Sequence, residues 1–336
     1  RANRESAWYN IDKKGERRMN KINLGYACIC SALNSLPKDQ RVTTNRSMIK
    51  KTFLANGINY ASEIALKNCN DLLTILKWNE AHDIKFFRLS SSLLPWSSEY
   101  NICDLPDFND IALALAKAGK YASDHGHRIT THPGQFNVLG SPRPDVVENT
   151  IKELETHSEV FDLMGLPATP YAKINIHVGG TYGGDFANTA ERWCRNYLRL
   201  SPNAQNRLTL ENDDKASMWS TQHIYDYIYK VVGVPIVFDF HHFSFCSGGQ
   251  TEQEALKLAI STWGDVKPVV HYSQCRNIEH NNPKIRPQAH SDSYWTPINT
   301  HGQSVDVMLE SKFKEQALFK MRELLQIEYN KLKKVA

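Results

Sequence analysis

His132, His177, Glu211, Asp239, His242, His271 and Glu310 all stand at or just past the ends of short apolar runs. His290 lies in the long loop before the last of those runs. So many imidazoles and carboxylates exceed the needs of one general acid–base pair. Brought together unpaired, the carboxylates would repel one another and be costly to desolvate. Divalent cations resolve this. Mixed His/Asp/Glu ligation suits Zn²⁺, Mn²⁺ or Fe²⁺, and with no cysteine at the end of a run a structural zinc is disfavoured. About eight candidate ligands predict a cluster of two or three metals, of the kind that hydrolyses phosphodiesters.

Residues 128–136 are the most informative stretch. Arg128-Ile-Thr-Thr131 reads as a short strand delivering His132 at its carboxyl end. Pro133-Gly134 should then turn the chain, because proline fixes φ and glycine tolerates positive φ. Gln135 and Phe136 are left on the loop, one polar and one large and apolar. A metal-type ligand thus sits three residues from a possible probe of a bound partner.

Residues this far apart need an architecture that makes them converge. Strands are expected at 23–29, 84–90, 128–131, 172–177, 207–211, 235–239, 267–271 and 305–310. Helices are expected at 70–83, 107–126, 144–165, 187–200, 221–232, 251–263 and 312–333. Residues 31–56 read as a polar loop, and 274–303, with prolines, histidines and no helical period, as another. Short apolar strands alternating with helices predict a single parallel (β/α)₈ TIM barrel, in which every strand's carboxyl end faces the same mouth. A doubly wound open sheet is the runner-up. It is weakened because no G-x-G-x-x-G follows a strand, which also argues against a nucleotide cofactor.

Composition agrees with a large core: 41% hydrophobic and 23% charged residues. The net charge of +4 is compatible with a polyanionic partner but demands none. Seven cysteines, an odd number with no C-x-x-C pair, imply reduced thiols rather than a disulfide scaffold. Cys28-x-Cys30 is expected on one face of the first strand, as core packing. No run is apolar enough to span a membrane and no secretory signal opens the sequence, so an intracellular monomer is expected, in cytoplasm, nucleoid or nucleus. Residues 1–18 are expected to be a flexible or artificially added lead, and 19–336 the catalytic barrel.

Taken together, His132-Pro-Gly-Gln-Phe136, His177-Val-Gly-Gly180, Leu210-Glu-Asn-Asp213, Asp239-Phe-His-His242 and Leu309-Glu-Ser-Lys-Phe-Lys-Glu-Gln316 resemble the UV damage endonuclease family. So do Leu24-Gly-Tyr26 and Thr43-Thr-Asn-Arg46. The resemblance runs in the family's order from Asn23 to the last helix. It implies a (β/α)₈ barrel related to endonuclease IV that acts on UV-damaged double-stranded DNA. It also implies a nick immediately 5′ to cyclobutane pyrimidine dimers and (6–4) photoproducts, leaving a 3′-hydroxyl and a 5′-phosphate. By motif the metal ligands fall on His132, His177, Glu211, Asp239, His242, His271, His290 and Glu310. The implied cofactor is Mn²⁺, two or three ions, with Zn²⁺ or Mg²⁺ as substitutes. Glu211, His132 and His242 are the expected catalytic residues, with Glu211 bridging.

The lesion-probing pair falls on Gln135 and Phe136. Tyr26, carried over by the same resemblance, is expected to line the lesion pocket, and Asn45 and Arg46 to contact DNA. Arg88, Lys215, Arg276 and Lys284 are further candidates for phosphate contacts, though any one alone reads as ordinary surface charge. There are two departures from relatives. The loop after the second strand, Ser90-Ser-Ser-Leu-Leu-Pro95, offers no histidine, and Val269 stands where relatives often place a lysine. An abasic-site endonuclease and a metal-dependent sugar isomerase or epimerase on the same barrel are the rival activities. A DNA-damage binder with an impaired cluster is the non-enzymatic one.

Overall fold

The structure, a computed structural model, describes residues 9–11, 17–19 and 22–335. Within the expected lead, Tyr9–Ile11 pairs antiparallel with Arg17–Met19. The rest of the lead lies outside the described residues.

Eight strands close into a barrel: β1 Asn23–Ala27, β2 Phe86–Leu89, β3 Arg128–Thr131, β4 Ile174–His177, β5 Leu208–Glu211, β6 Ile236–Asp239, β7 Val269–Tyr272 and β8 Asp306–Leu309. Each pairs in parallel with the next, and β8 closes on β1. The helical layer includes α1 Lys50–Ala81, α2 Phe108–Asp124, α3 Pro144–Leu163, α4 Phe186–Tyr197, α5 across 221–232, α6 Glu252–Ile260 and α7 Lys314–Val335. The middle of α5, Tyr225–Tyr229, is a π-helical turn. Among the described residues no helix is long and apolar enough to cross a membrane, and all seven cysteines are free.

The alternation of side chains along each strand divides the residues into two sets. Leu24, Tyr26, Phe87, Leu89, Ile129, Ile174, Ile176 and Leu210 belong to the large cluster between barrel and helices. Ala27, Phe86, Val237, Val269 and Met308 form a smaller cluster of the opposite parity, inside the barrel. Gly25 makes room there: a Cβ on it would lie 2.6 Å from the Phe86 ring. Arg128 is also buried. Its guanidinium donates to Asp306 (3.0 Å) and to the carbonyls of Lys267, Tyr171 and Pro170.

Two expectations near the start are corrected. Cys28 follows β1 with φ 70°, so Cys28 and Cys30 do not share a strand face. The expected loop 31–56 also ends early, because α1 begins at Lys50 and continues across a kink at Gly57. Its buried face includes Ser62, Asn68 and Asn79 among Ala61, Ala65, Leu72 and Leu76. Those polar residues interrupt the hydrophobic period, yet each has work to do. Asn68, for instance, accepts from the Arg46 amide and donates to the carbonyls of Arg46, Ser92 and Leu93, tying two mouth loops to the helix.

Candidate metal centre and nucleic-acid interface

Parity explains why the polar side chains meet. The inward positions of β4, β5, β6 and β7 end in His177, Glu211, Asp239 and His271, and register sets His177 beside Glu211 and Asp239 beside His271. His132 and Glu310 are the residues just past β3 and β8, and His242 sits in the helical turn Phe240–Phe243 after β6.

Glu211 is the hub. Its Oε2 lies 3.2 Å from His132 Nε2, 3.1 Å from His271 Nδ1 and 3.9 Å from His177 Nε2. Its Oε1 lies 3.3 Å from His242 Nδ1. Asn175, two residues before His177 and on the same face, donates to Oε2 and in turn accepts from Thr209. Two donor groups result, His132–His177–Glu211 and Glu211–Asp239–His271–Glu310, each with donor atoms within 4.8 Å of one another. Glu211 belongs to both. His242 and His290 lie outside these groups but at their border, with ring centroids 5.5 Å (His177–His242) and 6.1 Å (His242–His290) apart.

The residues fit divalent cations. Asp239 uses Oδ1 to accept from the His242 amide, while its buried Oδ2 has no hydrogen-bond partner among the described residues. His271 Nδ1 is likewise buried without a directed hydrogen bond. Burial pushes His271 down to about 4, so its imidazole is neutral and has a lone pair to give. Burial, with repulsion from Glu211 and Glu310, pushes Asp239 well above the usual carboxylate range. Burial alone would raise Glu310, but the Arg88 guanidinium against its carboxylate holds it well below. A cation at this cluster would relieve that crowding of carboxylates.

Hydrogen bonds orient the candidate ligands from behind. The His242 Nδ1–H donates to the Asn212 carbonyl (2.9 Å), and the His290 Nδ1–H to that of Glu310 (3.1 Å). Each leaves Nε2 as the free nitrogen, the usual arrangement for a ligating histidine. Asp213 Oδ1 sits 3.0 Å from His177 Nδ1. Lys173 Nζ is 3.1 Å from His271 Nε2, and burial pushes its ammonium down to about 7. In its neutral form Lys173 would accept from Nε2–H and free Nδ1 toward the carboxylates. Sequence alone assigns no role to Asn175, Asp213 or Lys173, although Asp213 ends one of the motifs. A signal existed for two of them: Lys173-Ile-Asn-Ile-His177 alternates polar and apolar, placing Asn175 and Lys173 in the inward column.

The mouth opens into a groove of about 980 Å³ lined by His177, His242, Gln135, Phe136, Tyr182 and Lys215, among others. Phe136 is 81% exposed. The turn that presents it departs from expectation. Gly134 keeps an ordinary φ, and the reversal is made at Gln135-Phe136, with the Asn137 amide and side chain both donating to the Gly134 carbonyl. Gly179 (φ 101°) packs against Val138, where a Cβ would lie 2.5 Å from Cγ1, so the loops after β3 and β4 meet closely.

Four expected DNA-facing residues, Tyr26, Arg46, Arg88 and Arg276, are buried or committed to partners within the protein. Tyr26 is fully buried; it has outward parity and donates its hydroxyl to Asn79 on α1 at 2.7 Å, so it does not line the mouth. Replacing Tyr26 with phenylalanine should cost about 1–3 kcal/mol in urea unfolding, the range for leaving a buried acceptor unpaired, without altering DNA selectivity. Arg46 is committed to the carbonyls of Thr43 and Arg41 and to Asp71. Arg88 is paired with Glu310. Arg276 is paired with Asp292 at 3.0 Å. Asn45 accepts from the Ser90 hydroxyl and keeps its amide group exposed at the rim.

Fold and site together define a closed (β/α)₈ barrel with a histidine–carboxylate cluster at its mouth. A sequence model of the family described as UV-endonuclease UvdE matches residues 22–336, and the chain belongs to that family. A UV-damage endonuclease of Neurospora crassa is 37% identical over 285 residues, covering 79% of this chain and 41% of that one. One of Schizosaccharomyces pombe is 32% identical over 307 residues, covering 89% and 50%. This chain therefore spans half or less of either fungal relative. A chain of Acanthamoeba polyphaga mimivirus is 34% identical over 319 residues, covering 90% and 91%. The crystal structure of SacUVDE has 29% sequence identity and a TM-score of 0.78, covering 92% of this chain and 99% of that one. A D-tagatose 3-epimerase-like protein, 11% identical with a TM-score of 0.55, shares the fold alone.

Proposed function

We propose that this chain is a metal-dependent DNA repair endonuclease. It nicks double-stranded DNA immediately 5′ to UV photoproducts, leaving a 3′-hydroxyl and a 5′-phosphate. The observation that carries this reading is the juxtaposition of two donor groups sharing Glu211 with a groove whose lip bears the exposed Phe136. Family membership supplies the substrate class.

His132, His177 and Glu211 would hold one cation and Glu211, Asp239, His271 and Glu310 another, with His242 and His290 completing the set; Mn²⁺ is the proposed occupant. Such ions supply Lewis acidity toward water and toward phosphodiester oxygens. The chain's own residues do the rest. Asn175, Asn212 and the Glu310 carbonyl fix the orientation of Glu211, His242 and His290. Arg88 balances the charge of Glu310 from within the barrel. Gln135 and Phe136 fill the space left when a damaged step, which stacks and pairs poorly, is displaced from the duplex. Lys215, on the groove wall, is available for a backbone phosphate.

The quartet Glu211–Asp239–His271–Glu310 by itself also suits a sugar isomerase. Against that reading, His132 and His177 extend the cluster and the groove is lipped by an exposed aromatic. Duplexes that are undamaged, abasic or dimer-containing, incubated with the protein and Mn²⁺, test the proposal. Nicking confined to the dimer duplex, lost with a chelator and restored by Mn²⁺, is the expected outcome. Cleavage of abasic DNA alone, or sugar turnover without nicking, would overturn it.

A further inference from the structure

The rim above β1 and β2 carries a second concavity, away from the groove beside Phe136. It has a volume of about 420 Å³ and is lined by Asn34, Lys38, Arg41, Asn45 and Arg46 with Ile29 and Thr43. The loop that forms it is pinned to the barrel's carboxyl end. Thr44 donates to the carbonyl of Cys28, just past β1, and Asn45 accepts from Ser90, just past β2. Asp71 of α1 holds the loop from the other side, through the Thr43 amide (2.9 Å) and the Arg46 guanidinium (2.7 Å).

Its charge is one-sided: the lining has lysine and arginine and no carboxylate among the described residues. Arg46 spends its guanidinium on the carbonyls of Thr43 and Arg41 and on Asp71, so it builds the loop rather than serving a ligand. That same hold on the Arg41 carbonyl fixes the backbone from which the Arg41 side chain projects. Lys38 and Arg41 are exposed and, among the described residues, have no side-chain partner. Among the described residues the amide groups of Asn34 and Asn45 keep their N–H donors unspent, and Thr43 Oγ1, which accepts from the Asn45 amide, still has its O–H to give. Two cations, two amide groups and a hydroxyl around one hollow, with no carboxylate on its wall among the described residues, match a tetrahedral oxyanion.

We infer that this hollow is a binding site for a backbone phosphate of the DNA substrate, held by Lys38 and Arg41 outside the reaction centre. The inference rests on the proposed reading of the mouth as a DNA site, and it moves the backbone contact on this side from Arg46 to its two neighbours. A phosphate contact positions the duplex and carries no sequence or lesion information. Each such contact releases counterions, so the slope of log Kobs against log salt carries about 0.9 per phosphate neutralised.

The test is fluorescence anisotropy of a short duplex, undamaged or with one cyclobutane dimer, between about 50 and 200 mM KCl, the interval over which such contacts dominate. Lys38→Gln and Arg41→Gln should each flatten the slope by up to about 0.9, to the same extent on both duplexes, and Lys38→Arg should restore it. Thermal midpoints like that of the unaltered protein would place the effect in binding rather than folding. A double variant with an unaltered slope would overturn the site. So would competition by inorganic phosphate at matched ionic strength without any change of slope, which would assign the hollow to the free anion. Flattened slopes without nicking of the dimer duplex would sink the proposed reaction and leave this site standing. Nicking with unaltered slopes would do the reverse.

Discussion

Glu211→Gln should lower the rate of nicking at saturating DNA by on the order of 10³-fold, the upper end of what loss of one charge-stabilising group costs, while duplex affinity stays close to that of the unaltered protein. The asymmetry follows from position. Glu211 is 1% exposed at the centre of the cluster and contributes to both donor groups, so in the proposed reading its charge would serve two cation positions at once. Glutamine keeps the shape and can still accept from Asn175, so the β4–β5 packing survives. It cannot supply negative charge to the imidazoles of His132, His177, His242 and His271, and its amide N–H₂ would confront them as a donor. The groove wall, Lys215 and Phe136 are untouched, which is why binding should persist. Metal analysis of the purified variant should show fewer bound ions. Retained cleavage with full metal content would remove Glu211 from the centre.

The barrel was legible because its strands are short, apolar and regularly spaced, and because hydrophobic alternation exposes parity. The ends of β4 to β7 could be read as convergent for the same reason: a histidine or carboxylate ending an apolar run on the inward column points into the barrel mouth. The same alternation, applied to Leu24-Gly-Tyr-Ala27, places Gly25 and Ala27 inward and Tyr26 outward, so the buried tyrosine could have been found by counting residues. The family motif alone does not carry that information. The first half of α1 was hidden by a different cause. Asn56, Gly57 and Asn59 are poor helix formers, and Ser62 and Asn68 stand on the buried face because they hold the mouth loops, not because they fill core. Arg46 and Arg88 illustrate the limit for charges. Sequence places both near the mouth, but only the fold says that one is spent on carbonyls and Asp71 and the other on Glu310.

Phe136→Ala should reduce the preference for dimer-containing over undamaged duplex by about 5- to 150-fold, the equivalent of the roughly 1–3 kcal/mol that one base–aromatic stack contributes. An 81% exposed phenylalanine is not held there by packing. What holds the turn is polar: Asn137 closes it on the Gly134 carbonyl, and the Val138 amide donates to Thr150 of α3 at 3.1 Å. The ring is therefore presented by a loop that does not depend on it, and its removal should leave stability and metal content unchanged. Its distance from the chemistry is fixed as well, because His132 and the turn are adjacent in sequence and the His132 Nδ1–H donates to the Pro133 carbonyl at 2.9 Å. In the proposed reading, a wedge on such a short tether would discriminate by the ease of opening the step it enters. A photodimer, already poorly stacked, gives way at lower cost than an intact step. Removing the wedge should slow cleavage of dimer DNA while leaving the weak background on undamaged DNA nearly as it was. Competition between the two duplexes in one reaction reads that ratio directly, and an unchanged ratio would place lesion discrimination elsewhere on the groove.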